Sequence, residues 1–349
     1  MQFIVQMLAG GWNELLNYLS AHVVTCLVPA FFIAGAMAVL VTKGAVIKYF
    51  GVQAKRWVAY GVASVSGMLL AVCSCTILPL FAGIYNLGAG LGPAVTFLYS
   101  GPAINILAIS LTGAAIGWKM GLARGVGAVL FSIVIGIIMS LLFRNSEKTR
   151  LQAMEVLPEE SSDKPPVFLI LFFGVMVAIL IISTSKLAPW IKVALDLGLI
   201  NSLGIMVHHY FVKGEFQSWM SETWSLVKLV VPTLLIGVFV VGMVTAILPS
   251  EWIARYVGEN SFTANVAASL VGALFYFSTL TEVPIVKGLM DLGMHQGPAL
   301  TLLLAGPAVS IPNLLVINRI MGFKRTAVYF LLVVILAALT GWLYGSIFV

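Results

Sequence analysis

Two cysteines, Cys73 and Cys75, stand one residue apart in an apolar stretch, just before Pro79. Two thiols at that spacing converge on one soft acceptor if the chain is extended or unwound there. On a regular helix they point about 200° apart. Thiolates favour Cu(I), Zn(II) and other thiophilic species, trivalent arsenic among them, over Mg or Ca. A buried cysteine also packs as a small apolar residue. Cys73 and Cys75 therefore read either as a soft metal or metalloid site or as packing, and Cys26 reads as packing.

Charges supply the next candidates. Glu282 and Lys287 flank Pro284 within another apolar stretch. A charge at the centre of a span costs about 2.5–3.5 kcal/mol, so such a residue normally faces a cavity and has a role. Glu282 is the expected proton-coupling residue, with Lys287 as its structural partner or snorkelling to the interface. Asp291, His295 and the His208-His209 pair lie near apparent loops, and the histidine pair lacks H-x3-5-H ligand spacing. The chain has no H-E-x-x-H, G-x-S-x-G or phosphate-binding loop, which argues against an enzyme and against ATP as the direct energy source.

The elements that must hold these residues are transmembrane helices. Of 349 residues, 60% are hydrophobic and 9% charged, with a mean hydropathy of +1.06. Soluble domains carry about 25% charged residues, so lipid is the solvent here. The net charge of +6 fits basic residues at segment ends and gives no nucleic-acid patch. Residues 1–20 read as an interfacial helix.

Stretches of roughly 20 apolar residues mark spans at 22–41, 57–79, 93–114, 121–143, 167–185, 226–248, 264–284, 297–317 and 326–348. Segment 195–212 is a tenth if it crosses. The distribution of basic residues favours ten, with Lys119, Arg124, Lys324 and Arg325 among those on one side. Ten spans make the halves of the chain parallel repeats; nine make them inverted.

The halves are visible as a repeat. Residues 73–106 and 278–311 align without a gap at an offset of 205, with 14 of 34 positions identical. The shared skeleton is glycine and proline: Pro79/Pro284, Gly88/Gly293, Gly92-Pro93/Gly297-Pro298 and Gly101-Pro102/Gly306-Pro307. Helix breaks free backbone carbonyls and amides at depth, where only protein or a polar cavity can satisfy them. Interrupted segments at matching places in two halves point to a transport site, although the glycines also serve as helix-packing contacts. On this reasoning the substrate-binding candidates are Cys73, Cys75, Pro79, Asn105, Pro284, Ser310 and Asn313.

The strings CSCTILPLFAGI, GPAVTFLYSGPAIN, TEVPIVKGL and GPALTLLLAGPA resemble the ArsP/YraQ family of permeases. The first-half string is most similar to the branch whose members export trivalent organoarsenicals. Other members look like copper or zinc exporters. The resemblance implies an arsenic-resistance role, places the family's cysteine motif on Cys73 and Cys75, and places its carboxylate on Glu282.

The sequence thus predicts an all-α, polytopic transmembrane bundle with two homologous halves and Gly/Pro-interrupted helices. Its expected parts are a first membrane repeat (1–143), a polar linker (144–166), connecting transmembrane segments (167–212) and a second repeat (213–349). The expected function is proton-coupled efflux of a thiol-reactive metalloid, with a Cu/Zn exporter or a thiol–disulfide carrier as alternatives. No cofactor is expected, the chain sits multi-pass in the cytoplasmic (inner) membrane, and homo-oligomerisation is left open.

Overall fold

The computed structural model describes residues 2–19, 28–40, 55–70, 74–104, 106–155, 165–184, 188–212, 214–245, 256–274 and 282–348. These form sixteen α-helices, with no strand among the described residues. Helix α1 (Gln2–Tyr18) packs along the distal part of a long later helix, with Gly11 against Phe239 and Met243. Helix α2 (Val28–Leu40) follows.

Five helices then make up the core of the first half: α3 (Arg56–Leu70), α4 (Ser74–Asn86), α5 (Leu91–Ala103), α6 (Ile106–Ala115) and α7 (Trp118–Leu142). A polar helix α8 (Arg144–Glu155) leads on to α9 (Pro166–Thr184), α10 (Pro189–Tyr210) and α11 (Glu215–Thr245). The second half closes with α12 (Phe262–Leu274), α13 (Glu282–Asp291), α14 (Gln296–Ala305), α15 (Ile311–Met321) and α16 (Phe323–Ile347).

The 205-residue offset recurs in these bounds. Helices α5, α6 and α7 start at 91, 106 and 118, while α14, α15 and α16 start at 296, 311 and 323. The local causes recur too. Gly88 (φ 101°) and Gly293 (φ 106°) end α4 and α13 in the left-handed region that glycine adopts without cost. Each is followed by the same capping bond, Ala89 N–H to Ile84 O at 3.0 Å and Met294 N–H to Leu289 O at 2.9 Å.

Packing repeats as well. Helix α5 crosses α7 at Gly92 and Gly136, where a Cβ on Gly92 would sit 2.9 Å from the Gly136 carbonyl. Helix α14 crosses α16 at Gly297 and Gly341, with the corresponding separation 2.7 Å. Backbones approach this closely only where both residues are small. One turn further on, Thr96 donates to Ser132 O at 2.9 Å and Thr301 to Ala337 O at 3.1 Å.

The relative direction of the halves follows from where α7 and α16 touch. Arg325, at the start of α16, stacks over Phe143, just past the end of α7. Gly127, nearer the start of α7, faces Thr340 near the end of α16. The two equivalent helices are therefore antiparallel, and the halves are inverted with respect to each other. Reciprocal contacts agree: α6 packs on α13 of the other half, and α15 on α4. Tyr99 donates to the carbonyl of Leu304, its own counterpart 205 residues on, at 3.1 Å. A residue can touch its own counterpart only near a pseudo-two-fold axis.

This corrects the expectation of ten spans with parallel halves. Helix α10, covering the doubtful segment 195–212, is indeed long and apolar enough to cross. The error lies at 57–79 and 264–284. Tyr60, at the start of α3, lies against Gly92 at the start of α5, and only four residues join α4 to α5. Helices α3 and α4 thus leave and return to one face as a hairpin. The second half does the same: His295 donates to Val257 O at 3.2 Å and Asn260 abuts Gly297, so α12 and α13 begin and end together. An apolar run long enough to span was in each case one arm of a hairpin plus the beginning of the other.

The linker also differs from expectation. Residues 144–155 form α8, whose Glu147 is buried. Arg150 donates to Tyr85 O (2.8 Å) and Ala89 O (2.6 Å), satisfying carbonyls at the end of α4. Arg325 joins this cluster through Ser146 Oγ (2.8 Å), the Tyr85 hydroxyl and Glu147 (3.6 Å). Residues 156–164 lie outside the described residues.

Candidate functional site

The two hairpins and the two interrupted helices bring the Gly101-Pro102 and Gly306-Pro307 breaks to the middle of the bundle. Helices α5 and α6 form one apolar pass bent by 41° just after Gly101-Pro102-Ala103. Helices α14 and α15 are interrupted at the equivalent Gly306-Pro307-Ala308, where residues 306–310 leave the helix. Proline at 307 and 312 removes amide donors, and the orphaned groups need other partners.

Glu282 begins α13, at the inner end of the second hairpin, and is fully buried. Its Oε2 accepts from Arg124 Nη2 at 3.0 Å, and both side chains have no solvent exposure. Arg124 Nη1 donates to Thr112 Oγ1 on α6 at 3.1 Å, and Thr112 in turn donates to Ala108 O at 2.7 Å. The other carboxylate oxygen faces Gly306: a Cβ there would sit 2.6 Å from Glu282 Oε1. The charge pair thus ties the second hairpin to α6 and α7 of the first half, directly against the second helix break.

Around this pair lie buried polar atoms with no hydrogen-bond partner among the described residues: Glu282 Oε1, Arg124 Nε, Ser269 Oγ, Ser310 Oγ and Asn313 Oδ1. Ser310 is the N-cap residue of α15, yet its hydroxyl makes no capping bond. Asn313 sits in the first turn of the same helix. Gly272, one turn past Ser269 on α12, lies against Gly306. An unpaired buried polar group costs about 1–3 kcal/mol. Several of them along one interrupted segment make a site built for something polar, whether water, a cation or a cargo with donor groups.

The sequence candidates are distributed as follows. Ser310, Asn313 and Glu282 sit at the second break. Pro79 is buried inside α4, whereas Pro284 faces outward on α13. Cys75 lies in the first turn of α4. Cys73 and Asn105 fall outside the described residues. No group of three or more His, Cys, Asp or Glu side chains with metal-binding geometry occurs among the described residues. The expected Glu282–Lys287 pair is not formed: Lys287 bonds Asp291 at 2.6 Å on the exposed side of α13, one helical turn on.

Arg124 is the residue that sequence reasoning missed. Its place at the start of the 121–143 stretch makes it count simply as a basic residue at a span end. The signal was present, since the argument that singled out Glu282 applies equally to a cation inside an apolar run. An apolar cavity of about 410 Å³ lies elsewhere, between α2, α9, α10 and α11, lined by Pro29, Phe32, Met176, Leu203 and Trp219. It contains none of the polar candidates.

Comparison with known proteins places the chain among predicted permeases. A sequence profile described as a predicted permease (ArsP) matches residues 8–346. The chain is 45% identical to UPF0718 protein MJ0584 of Methanocaldococcus jannaschii, covering 99% of this chain and 98% of that protein. It is 23% identical to UPF0718 protein YraQ of Escherichia coli, covering 89% and 75%. It is 24% identical to UPF0718 protein YcgR of Bacillus subtilis, covering 84% and 82%. No solved structure matches.

Proposed function

This chain belongs to the ArsP family of predicted permeases, and from that membership we propose that it expels a thiol-reactive metalloid, a trivalent organoarsenical first among the candidates. The observation that carries the transport reading is the buried polar centre, where interrupted helices of two inverted halves meet. Inverted repeats with broken helices at mid-depth are the common plan of secondary transporters. In this reading Cys73 and Cys75 bind the cargo by thiol exchange. Ser310 and Asn313 line its path, Asn105 is a further contact expected from sequence, and Glu282 carries the coupling proton. Arg144, Lys148, Arg150, Lys324 and Arg325 gather at the α8 face, which supports placing that face in the cytoplasm of an inner-membrane protein.

Two measurements test this. Cells carrying Cys73→Ser with Cys75→Ser should lose resistance to trivalent methylarsenicals at unchanged protein level. Resistance equal to wild type would make the cysteines packing residues, and a parallel panel of Cu and Zn would show whether a soft metal is the cargo instead. In everted vesicles Glu282→Gln should bind cargo but no longer respond to an imposed pH gradient. Full gradient-driven uptake by that variant would remove Glu282 from the mechanism.

A further inference from the structure

We propose that the Arg124–Glu282 bridge is the switch through which a proton arriving at Glu282 becomes relative movement of the two halves, with Arg124 as the positioning residue. This rests on the coupling role assigned to Glu282 above.

Three observations carry it. First, the bridge crosses between halves. Arg124 belongs to α7, its second partner Thr112 to α6, and Glu282 to α13, which packs on α6. Second, the contact has no charged counterpart at the symmetry-related place. There the positions of Arg124 and Glu282 are taken by Tyr329 and Ile77, and Tyr329 simply donates to Ala308 O at 3.3 Å. Of the two pseudo-equivalent contacts, α13 on α6 and α4 on α15, the one through Glu282 is held by a charge that a proton can cancel. Third, the guanidinium has no alternative. It is fully buried, its Nε is already unpaired among the described residues, and only the Thr112 hydroxyl would remain.

A buried cation that loses its anion is strongly destabilised, whereas the intact pair is compensated. Protonating Glu282 therefore makes the packed arrangement of α13 on α6 and α7 unfavourable. It is relieved when Arg124 reaches water or another acceptor, which requires the hairpin α12–α13 to leave its seat. The ionisable groups facing Glu282 are few. Arg124 comes from α7 and Tyr99 from α5, its hydroxyl donated to Leu304 O. Helices α6, α12 and α14 contribute none.

The test needs no cargo. The full chain, its three native cysteines replaced by serine, carries spin labels at Lys119→Cys and Leu292→Cys, and is held in lipid nanodiscs. Both positions are exposed, at the start of α7 and just past α13, on the face opposite α8. Acidification should shift the label pair to a second, longer distance. Glu282→Gln should hold the longer distance at every pH, Arg124→Gln should lose the acid-induced lengthening, and Arg124→Lys should restore it. Should Arg124→Gln fold poorly with Glu282 left unpaired, the double variant Arg124→Gln/Glu282→Gln carries neither charge, stays packed as a neutral pair and must show the short distance at every pH. Acid-induced lengthening retained in Arg124→Gln or in the double variant would overturn the switch. The two proposals fail separately. Gradient-driven transport retained by Glu282→Gln sinks the coupling reading, while a normal pH response in Arg124→Gln sinks the switch alone.

Discussion

At the scale of single residues, the energetics of the centre reduce to one question: whether two charges in a lipid-bounded core support each other or merely tolerate each other. Replacing a buried ion pair by neutral groups is often close to neutral, while removing one partner costs about 3–5 kcal/mol. Arg124→Gln should therefore lower stability by about that amount, and Glu282→Gln by a comparable amount, with the double variant well short of their sum. Thermal unfolding in detergent, arranged as a double-mutant cycle, reads this coupling directly. Strict additivity would mean that the 3.0 Å contact carries no interaction energy. The sequence made half of this centre legible. Glu282 announced itself as a carboxylate in an apolar run, and Ser310 and Asn313 followed from their place after Gly-Pro-Ala. Arg124 did not, because a cation near the end of a hydrophobic stretch looks the same as a loop cation until the fold shows which way the helix carries it.

At the scale of helices, the glycines of the repeat separate into those that allow contact and those that do not. Gly92 and Gly297 let the backbone of α5 approach that of α7, and the backbone of α14 that of α16, with Tyr60 and Asn260 seated in the space a side chain would fill. An added methyl would meet a carbonyl oxygen on the partner helix, which cannot rotate away. Gly92→Ala and Gly297→Ala should each cost about 1–3 kcal/mol by overpacking, outweighing the ~1 kcal/mol that alanine gains in helix propensity. Gly174 on α9 has nothing within 4 Å of a built Cβ, so Gly174→Ala should be neutral or mildly stabilising in the same unfolding assay. Equal effects at all three positions would show that the crossings at Gly92 and Gly297 are looser than drawn. Gly-Pro breaks and helix periodicity were readable from sequence, since proline and glycine act locally. Hairpin against span was not, because hydropathy counts apolar residues without regard to a turn between them, and each run of Gly-rich apolar sequence was long enough to satisfy either.

At the scale of the whole molecule, the inverted arrangement makes a prediction that the parallel one contradicts. Lys119 and Lys324 occupy equivalent positions 205 residues apart, at the starts of α7 and α16. With parallel halves they would share a side of the membrane, as the distribution of basic residues first suggested. With α7 and α16 antiparallel they must lie on opposite sides. Chain path accounts for the reversal. Helices α9 and α10 are an antiparallel pair, with Phe168 stacked on Tyr210 at 4.5 Å at one end and Ser183 bonded to Asp196 at 2.9 Å at the other. Helix α11 then makes a third pass, and the hairpin α12–α13 adds none. The second half accordingly starts from the other face. Single cysteines at Lys119→Cys and Lys324→Cys, in a background freed of native cysteines, should react with a membrane-impermeant maleimide from opposite sides. In cells with an intact inner membrane Lys119→Cys should label and Lys324→Cys should not, with the pattern reversed in everted vesicles. Labelling of both from one side would reverse the reading of α7 and α16, and with it the placing of the Arg124–Glu282 bridge between two inverted halves.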